Sequence, residues 1–506
     1  MKPLLRLFTL TAAVSVIVGL AAATPAEAAT RPGAATGVKV KVGYSTALVT
    51  WNKAKSATGY RICLTTSSKA KKCAITTKKR KARSFTLVGL KANGGADYYL
   101  TVNAVRGKYS KKSTRVRFDL KVAKVRALSV QRGTTSSNVR WAAATSARTY
   151  VVERSTSAKF SKAKTKTYKT RSTSLTVSKL TPASTYYYRV RGTNDVRVGT
   201  VSSTAKAKQT TAPISLTSGT YNICGQDKCR TNTNTINNIR LWNDPSEPRK
   251  ALAGSIARGL GADILSTQED SKTDSQFGSE LPGMTLGSYK SAKALFFKSS
   301  RFTQLRSGWI SMAGRTLYTK NGQDPTPLAE PAAPVTKYAA WSELQDKATR
   351  TTFLFVDPHL ESGKGKERDE LRYAQAKELI AKANAANTGR LPMVFAGDFN
   401  SNADNANQTK FDGGFDGPRK AFLENGYSDA FDISSVKVNT KYNSGNQGDA
   451  LDPPTGSDHI DKFFVSRGVK VARWESVIRL NGSDYVSPFG SDHNPIRVSL
   501  TIPGLP

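Results

Sequence analysis

Histidine and cysteine are scarce in this chain, and acidic side chains are nearly missing from one part of it. Its 506 residues include four Cys and three His. Four Cys are too few for a disulfide-dense scaffold. After the first residues no apolar stretch reaches the ~20 residues that span a bilayer, so no transmembrane segment is expected in the mature chain. Low-complexity disorder is excluded as the main state, because six Trp, 18 Tyr and 19 Phe are spread along the sequence. The length leaves room for several domains. Nothing in it sets an oligomeric state.

The start reads as a targeting segment. Lys2 and Arg6 precede an apolar run from Leu7 to Ala23, and Ala26-Glu27-Ala28 supplies small residues around a cleavage point. Residues 1–29 are therefore expected to be a signal peptide, and the protein to be secreted and extracellular.

Charge divides the rest. Residues 31–210 hold 40 Lys and Arg against four acids (Asp97, Asp119, Glu153, Asp195), which accounts for nearly all of the net charge of +40. Residues 31–96 contain no acid at all. Such a field attracts polyanions and weakens with salt. The partners expected for the basic 31–210 region are nucleic acid, another polyanion such as a cell-wall polymer, or an anionic membrane surface.

That region repeats itself. Trp51, Tyr60 and Leu90 recur as Trp141, Tyr150 and Leu180, and Tyr98 and Val102 as Tyr186 and Val190. Runs such as Tyr60-Arg61-Ile62-Cys63-Leu64 alternate with period two between polar turns, the pattern of antiparallel sandwich strands. With the strand Trp, the Tyr after it and, in the second copy, the "LTPASTYYYRVRG" corner, looser in the first as "LKANGGADYYLTVNA", the repeats resemble fibronectin type III domains, over 35–120 and 122–210. The Cys spacings, Cys63 to Cys73 and Cys224 to Cys229, suit two disulfides in an exported chain. Zinc is the rival reading, but no His accompanies either pair.

From residue 214 strand-like and helical patterns alternate. A helix is expected from Arg249 to Gly261 with Leu252, Ile256 and Leu260 inward. Another is expected from Glu367 to Ala386 with Leu371, Ala374, Leu379 and Ala383 inward. Apolar runs repeatedly end at small knots of carboxylates, amides and imidazoles. All three His, namely His359, His459 and His493, lie in such knots. Polar groups gathered at strand ends make a site on a rigid frame.

The knots come in a telling order: Asn222 in "TYNIC", Glu269 in "STQED", His359 in "DPHLES", Asp398 and Asn400 in "GDFNS", Asp461 in "HIDKFFVS" and Asp492-His493 in "GSDHNP". The series over 214–502 resembles the endonuclease/exonuclease/phosphatase superfamily, deoxyribonuclease I-like. The resemblance implies a multidomain chain: two all-β fibronectin type III-like sandwiches followed by a four-layer α/β sandwich. It also implies a metal-dependent phosphoric ester hydrolase that takes Mg²⁺, with Mn²⁺ or Ca²⁺ as substitutes, held by Glu269, Asn222 and Asp492. His493 would be the general base, oriented by Asp461. Asp398 would align water, Asn400 would bond a phosphate oxygen and His359 would donate to the phosphate or leaving group. His459 has no fixed role and is either an outer supporting residue or a bystander.

Three departures stand out. Asp357-Pro358 precede His359 where the family often has Asn-Thr. No carboxylate partner for His359 is found near 289–292. The Tyr-x-Pro-Asn element of abasic-site endonucleases is absent. The expected function is a secreted nuclease cutting DNA or RNA. One alternative is a sphingomyelinase- or phospholipase C-like phosphodiesterase on lipid head groups, for which Arg315–Pro334 is the best insertion loop, although poor in large apolar residues. The other is a non-catalytic, polyanion-binding adhesive protein.

Overall fold

The computed structural model describes residues 30–73, 75–77, 80–91, 98–194, 196–225, 229, 239–244, 246–270, 276–313, 336–402, 414–446, 451–456 and 459–505. The expected signal peptide and the 315–334 loop lie outside the described residues. Two compact units are formed. One comprises Met1–Val130, Val139–Leu175 and Tyr187–Lys206, and the other Gln131–Asn138, Thr176–Tyr186 and Ala207–Pro506.

The basic region is β-rich and fibronectin type III-like. In its first repeat Lys39–Val42, Ala47–Thr50 and Ser84–Leu87 form one sheet, and Gly59–Thr65 and Tyr98–Arg106 are the centre of a larger one. The alternation explains the pairing. Tyr60, Ile62 and Leu64 face Leu100 and Val102 in the core beside Trp51, while the intervening side chains face away. Trp51 meets Tyr60 edge-on with centroids 5.4 Å apart, and Trp141 meets Tyr150 in the same way at 5.4 Å. Such pairs stabilise beyond their buried area. Both expected disulfides are formed, Cys63–Cys73 and Cys224–Cys229.

The remainder is built in four layers. The strands and helices are β1 (Ile214–Asn222), α1 (Arg249–Gly259), β2 (Ile264–Gln268), β3 (Met284–Lys290), β4 (Lys293–Lys298), β5 (Phe302–Met312), β6 (Lys337–Asp346), β7 (Thr352–Pro358), α2 (Lys366–Ala386), β8 (Met393–Asp398), α3 (Gly417–Glu424), β9 (Ser428–Asp429), β10 (Val436–Val438), β11 (Asp461–Val465), β12 (Lys470–Ser476) and β13 (Ile496–Ile502). One sheet has the order β3-β4-β2-β1-β13-β12-β10, the other β5-β6-β7-β8-β11-β9. Ile264, Leu295 and Val498 of the first pack on Phe353, Val394 and Phe463 of the second. The outer face of the first carries α1 through Ala253 and Ala257. The outer face of the second carries α2 and α3 through Leu379, Ile380 and Phe422. Strands covered on both faces read as unbroken apolar runs, as in Phe353–Val356.

Two helix faces differ from the sequence expectation. In α1 the small residues Ala253, Gly254 and Ala257 are buried, while Leu252 and Ile256 are only partly so. In α2 Ala374 is exposed and Leu371 half-buried, and the buried set includes Asp369, Arg372 and Gln375. The reason is a polar tie that periodicity cannot show. Asp369 accepts from Ser401, Phe415 and Gly417 at 2.8–3.0 Å, and Arg372 donates to the carbonyls of Glu361 and Gly363. Among the described residues no helix is long and apolar enough to cross a membrane.

Candidate active site

Strand direction brings the motif residues to one edge of both sheets. Parallel β1 and β2 end together, with Asn222 opposite Gln268, and the chain leaves β2 through Glu269. Parallel β7 and β8 bring His359 beside Asp398 in a bridge. β11 runs antiparallel to β8, so its first residue, Asp461, lies opposite Asp398. β13 runs antiparallel to β1 with Ile496 opposite Thr220, which sets Asp492 and His493 just beyond β1. Gly397 permits the approach of β7 to β8, since a Cβ there would lie 2.1 Å from the Pro358 carbonyl oxygen. Glu269 and Asn400 have φ of 59° and 51°. Left-handed backbone at non-glycine residues is costly and clusters at functional sites.

The side chains converge. His493 Nδ1 is 2.7 Å from Asp461 Oδ2, and its Nε2 is 4.0 Å from Asp398 Oδ2. His359 Nε2 lies 3.4 Å from Asp398 Oδ2 and 3.9 Å from Glu269 Oε1. Asn222 Nδ2 donates to Asp398 Oδ2 at 3.0 Å, and the Asn400 amide donates to Asp398 Oδ1 at 2.8 Å. Asn400 Nδ2 reaches the Leu360 carbonyl at 3.3 Å. Asp492 Oδ1 lies 3.2 Å from Ser491 Oγ. The carboxylate neighbours of His359 are thus Glu269 and Asp398. The stretch at 289–292 instead meets the backbone of Asp270, whose amide donates to the Ala292 carbonyl.

Burial sets the protonation balance. Asp398 is 1% exposed, and its carboxyl is pushed up to about 7 by desolvation and by Asp461, against His493 and its hydrogen bonds. For His493 burial alone would favour the neutral ring. The Asp461 carboxylate outweighs it, with Asp492 and Asp398 beyond, and holds the imidazolium well above its ordinary range.

His459 belongs elsewhere. Its Nε2 is 3.1 Å from the Tyr442 carbonyl, and its ring packs 4.6 Å from Trp474 and 5.2 Å from Phe431. Burial brings its pKa down to about 4. These contacts are those of a core residue.

Several supporting residues escaped the sequence reading. Arg249, 1% exposed, donates to the carbonyls of Ile223, Cys224, Arg240 and Gly490 at 2.6–3.0 Å. It ties the Asn222 loop to the loop carrying His493. Burial lowers its pKa to about 10, so it remains a cation. The one available signal was its position, since a cation in the first turn opposes the helix dipole. Ser491 Oγ donates to the Asn222 carbonyl at 2.6 Å and accepts from the His493 amide at 3.2 Å. Ser444 Oγ accepts from the amides of Ile460 and Asp461. Gln268 Nε2 donates to Asp357 Oδ1 at 2.6 Å, linking the two sheets directly beneath Glu269 and His359. Burial pushes the Asp357 carboxyl well above the carboxylate range.

The donors suit a hard divalent cation. Asp398, Asp461 and His493 offer atoms within 4.8 Å of one another; His493 Nδ1 and Asp461 Oδ2 are taken up by each other at 2.7 Å, and buried Asp461 Oδ1 has no hydrogen-bond partner. Glu269, Asn222 and Asp492 add oxygen at the same edge. A carboxylate- and amide-oxygen set is the kind taken by Mg²⁺, Mn²⁺ or Ca²⁺. Cys224, Cys229 and Asp492 also lie close together, but both sulfurs are in a disulfide and offer no thiolate.

The sequence profile of the Endonuclease/Exonuclease/phosphatase family matches residues 219–493, more than half of the chain. The protein belongs to that family. Membership places it among hydrolases of phosphoester bonds, which generally depend on divalent metals. No curated protein matches the sequence. Among solved structures, a family member from Bacteroides thetaiotaomicron is similar at 20% identity over 57% of this chain and 98% of its own, with a TM-score of 0.41. The human Nocturnin catalytic domain, solved with bound sulfate, is similar at 18% identity over 57% and 94%, with a TM-score of 0.39. A two-domain fibronectin type III segment of chicken tenascin is similar at 17% identity over 35% and 99%, with a TM-score of 0.30.

Proposed function

We propose that this protein is an exported, divalent-metal-dependent phosphodiesterase whose substrate is nucleic acid. The observation that carries the catalytic reading is the His493–Asp461 pair facing Asp398, with Glu269, Asn222 and His359 around the same carboxylate. The strongly basic 31–210 region favours a polyanionic substrate, and two disulfides suit an oxidising compartment.

Glu269, Asn222 and Asp492 would hold the ion, Mg²⁺ by donor type. When bound, the ion neutralises charge on the phosphoryl oxygens and favours loss of the leaving oxygen. The chain supplies the rest. In its neutral form His493 takes a proton from water at Nε2, while Asp461 fixes the tautomer at Nδ1 and stabilises the imidazolium that results. Asp398 orients the water, itself held by Asn222 and Asn400. Asn400 and His359 donate hydrogen bonds to the phosphate or the leaving oxygen.

The test is incubation of the purified chain with plasmid DNA, RNA and sphingomyelin, each with Mg²⁺ or with EDTA. Nucleic acid should be cut only with Mg²⁺, and Glu269→Gln should lower the rate by at least ~100-fold. Cleavage of sphingomyelin with intact nucleic acid would overturn the substrate assignment. Full activity in EDTA would overturn the metal.

A further inference from the structure

The first fibronectin-like module has a cleft of about 280 Å³ on the sheet face turned away from its core. Lys69, Lys71, Lys112 and Arg115 surround it, and none of the described lining residues is acidic. Thr65, Thr101 and Tyr99 complete its wall, with the Thr65 hydroxyl donating to the Ser67 carbonyl and that of Thr101 to Asn103 Oδ1.

The second module is an internal control. Local hydrogen bonds and register align the two. The Ala70 amide donates to the Ser67 carbonyl as the Phe160 amide donates to that of Ser157. Cys63 lies opposite Thr101 and Thr65 opposite Tyr99, as Glu153 lies opposite Arg189 and Ser155 opposite Tyr187. Ser113 Oγ accepts from the Val102 amide as Ser202 Oγ accepts from that of Val190, both at 2.9 Å.

On this alignment the second module is filled and neutralised. Phe160 covers the Arg189 guanidinium at 4.1 Å from the ring centroid. Glu153 takes Arg189 at 2.7 Å and Arg191 at 3.8 Å. In the first module Ala70, Thr101 and Cys63 stand in place of Phe160, Arg189 and Glu153, so the volume is open and the carboxylate is gone. Lys71, Lys112 and Arg115 stand where the second module has Ser161, Val201 and Thr204. The same scaffold has therefore lost its plug, its counter-charge and the two cations paired with it, Arg189 and Arg191, which give way to Thr101 and Asn103, and has gained three cations with no carboxylate beside them.

Close cations without an acid repel one another, and an anion seated among them relieves that repulsion. Lysine and arginine suit the tetrahedral oxygens of phosphate. The volume is slightly below the ~300 Å³ lower bound of small-molecule pockets, so it suits one phosphate and part of its sugar. The half-buried Tyr99 ring offers a surface for a sugar or base. A recess also fits a protruding strand better than a flat headgroup layer.

We propose that this cleft is a phosphate-binding site that holds one backbone phosphodiester of a nucleic-acid strand and tethers it to the protein. The choice of nucleic acid rests on the function proposed above, whereas the anion site itself does not.

The experiment is equilibrium binding of the full chain, in EDTA, to a fluorescein-labelled 12-residue oligothymidylate at several salt concentrations. Ala70→Phe keeps every charge and inserts the side chain that the second module carries, and it should weaken binding at least ~10-fold. Lys71→Gln with Lys112→Gln should weaken it similarly and reduce the salt slope by up to ~0.7, the share of the one phosphate the cleft holds. Lys39→Gln with Lys41→Gln, on the other sheet, should change affinity less than ~2-fold. If Ala70→Phe, with unchanged circular dichroism, and the Lys71/Lys112 pair both bind as the parent does, the cleft is overturned. Tighter binding to polyglycerol phosphate, heparin or phosphatidylglycerol vesicles would overturn the nucleic-acid assignment. Loss of bis-p-nitrophenyl phosphate hydrolysis with oligonucleotide binding intact would count against the catalytic reading and leave the cleft standing.

Discussion

His493 Nδ1 lies 2.7 Å from Asp461 Oδ2, and this contact fixes which nitrogen of the ring faces Asp398. Asp461→Asn keeps the shape and removes the charge. Hydrolysis should fall by ~100-fold or more, in the range for a mis-set general base. Asp461 raises the imidazolium pKa, so its loss should also move the acid limb of the kcat/KM profile to lower pH. An unchanged profile would show that the pair does not set the base.

Arg249 should matter without touching substrate. Arg249→Met removes the donors to the Ile223, Cys224 and Gly490 carbonyls, and each unmatched buried carbonyl costs ~1–3 kcal/mol. Urea unfolding should show a loss of several kcal/mol. Arg249→Lys restores charge but not the planar fork. Under conditions where it stays folded, its kcat should fall more than its KM rises. Equal activity of the Lys variant and the parent would limit Arg249 to stability.

His459 should make the fold acid-sensitive. Burial depresses its folded pKa to about 4, against ~6.5 unfolded. The unfolded chain therefore binds the proton more readily, and stability present above pH ~6.5 is lost as pH falls towards 4. The loss is about 3 kcal/mol. His459→Gln should flatten that part of the stability–pH curve in urea titrations. A curve of unchanged slope would assign the acid sensitivity to other groups.

The site was legible because its residues sit in short, ordered motifs at strand ends, where chain direction alone brings them together. Asn222, Glu269, Asp398 and His493 needed only the β order to meet. The supports were not legible. Arg249 acts through carbonyls, which carry no residue code, and reads as an ordinary helix start. The bond between Gln268 and Asp357 joins strands 89 residues apart across two sheets. The inward face of α2 departs from its apolar periodicity because loops bury Asp369 and Arg372. The carboxylate beside His359 comes from Glu269, whose left-handed backbone no sequence pattern announces.

Glu269 and Asn222 belong to one sheet of the sandwich, whereas Asp398, Asp461 and His359 belong to the other. Neither half contains a working centre. Turnover therefore reports closure of the two halves: during refolding it should emerge last, with the docking of the sheets.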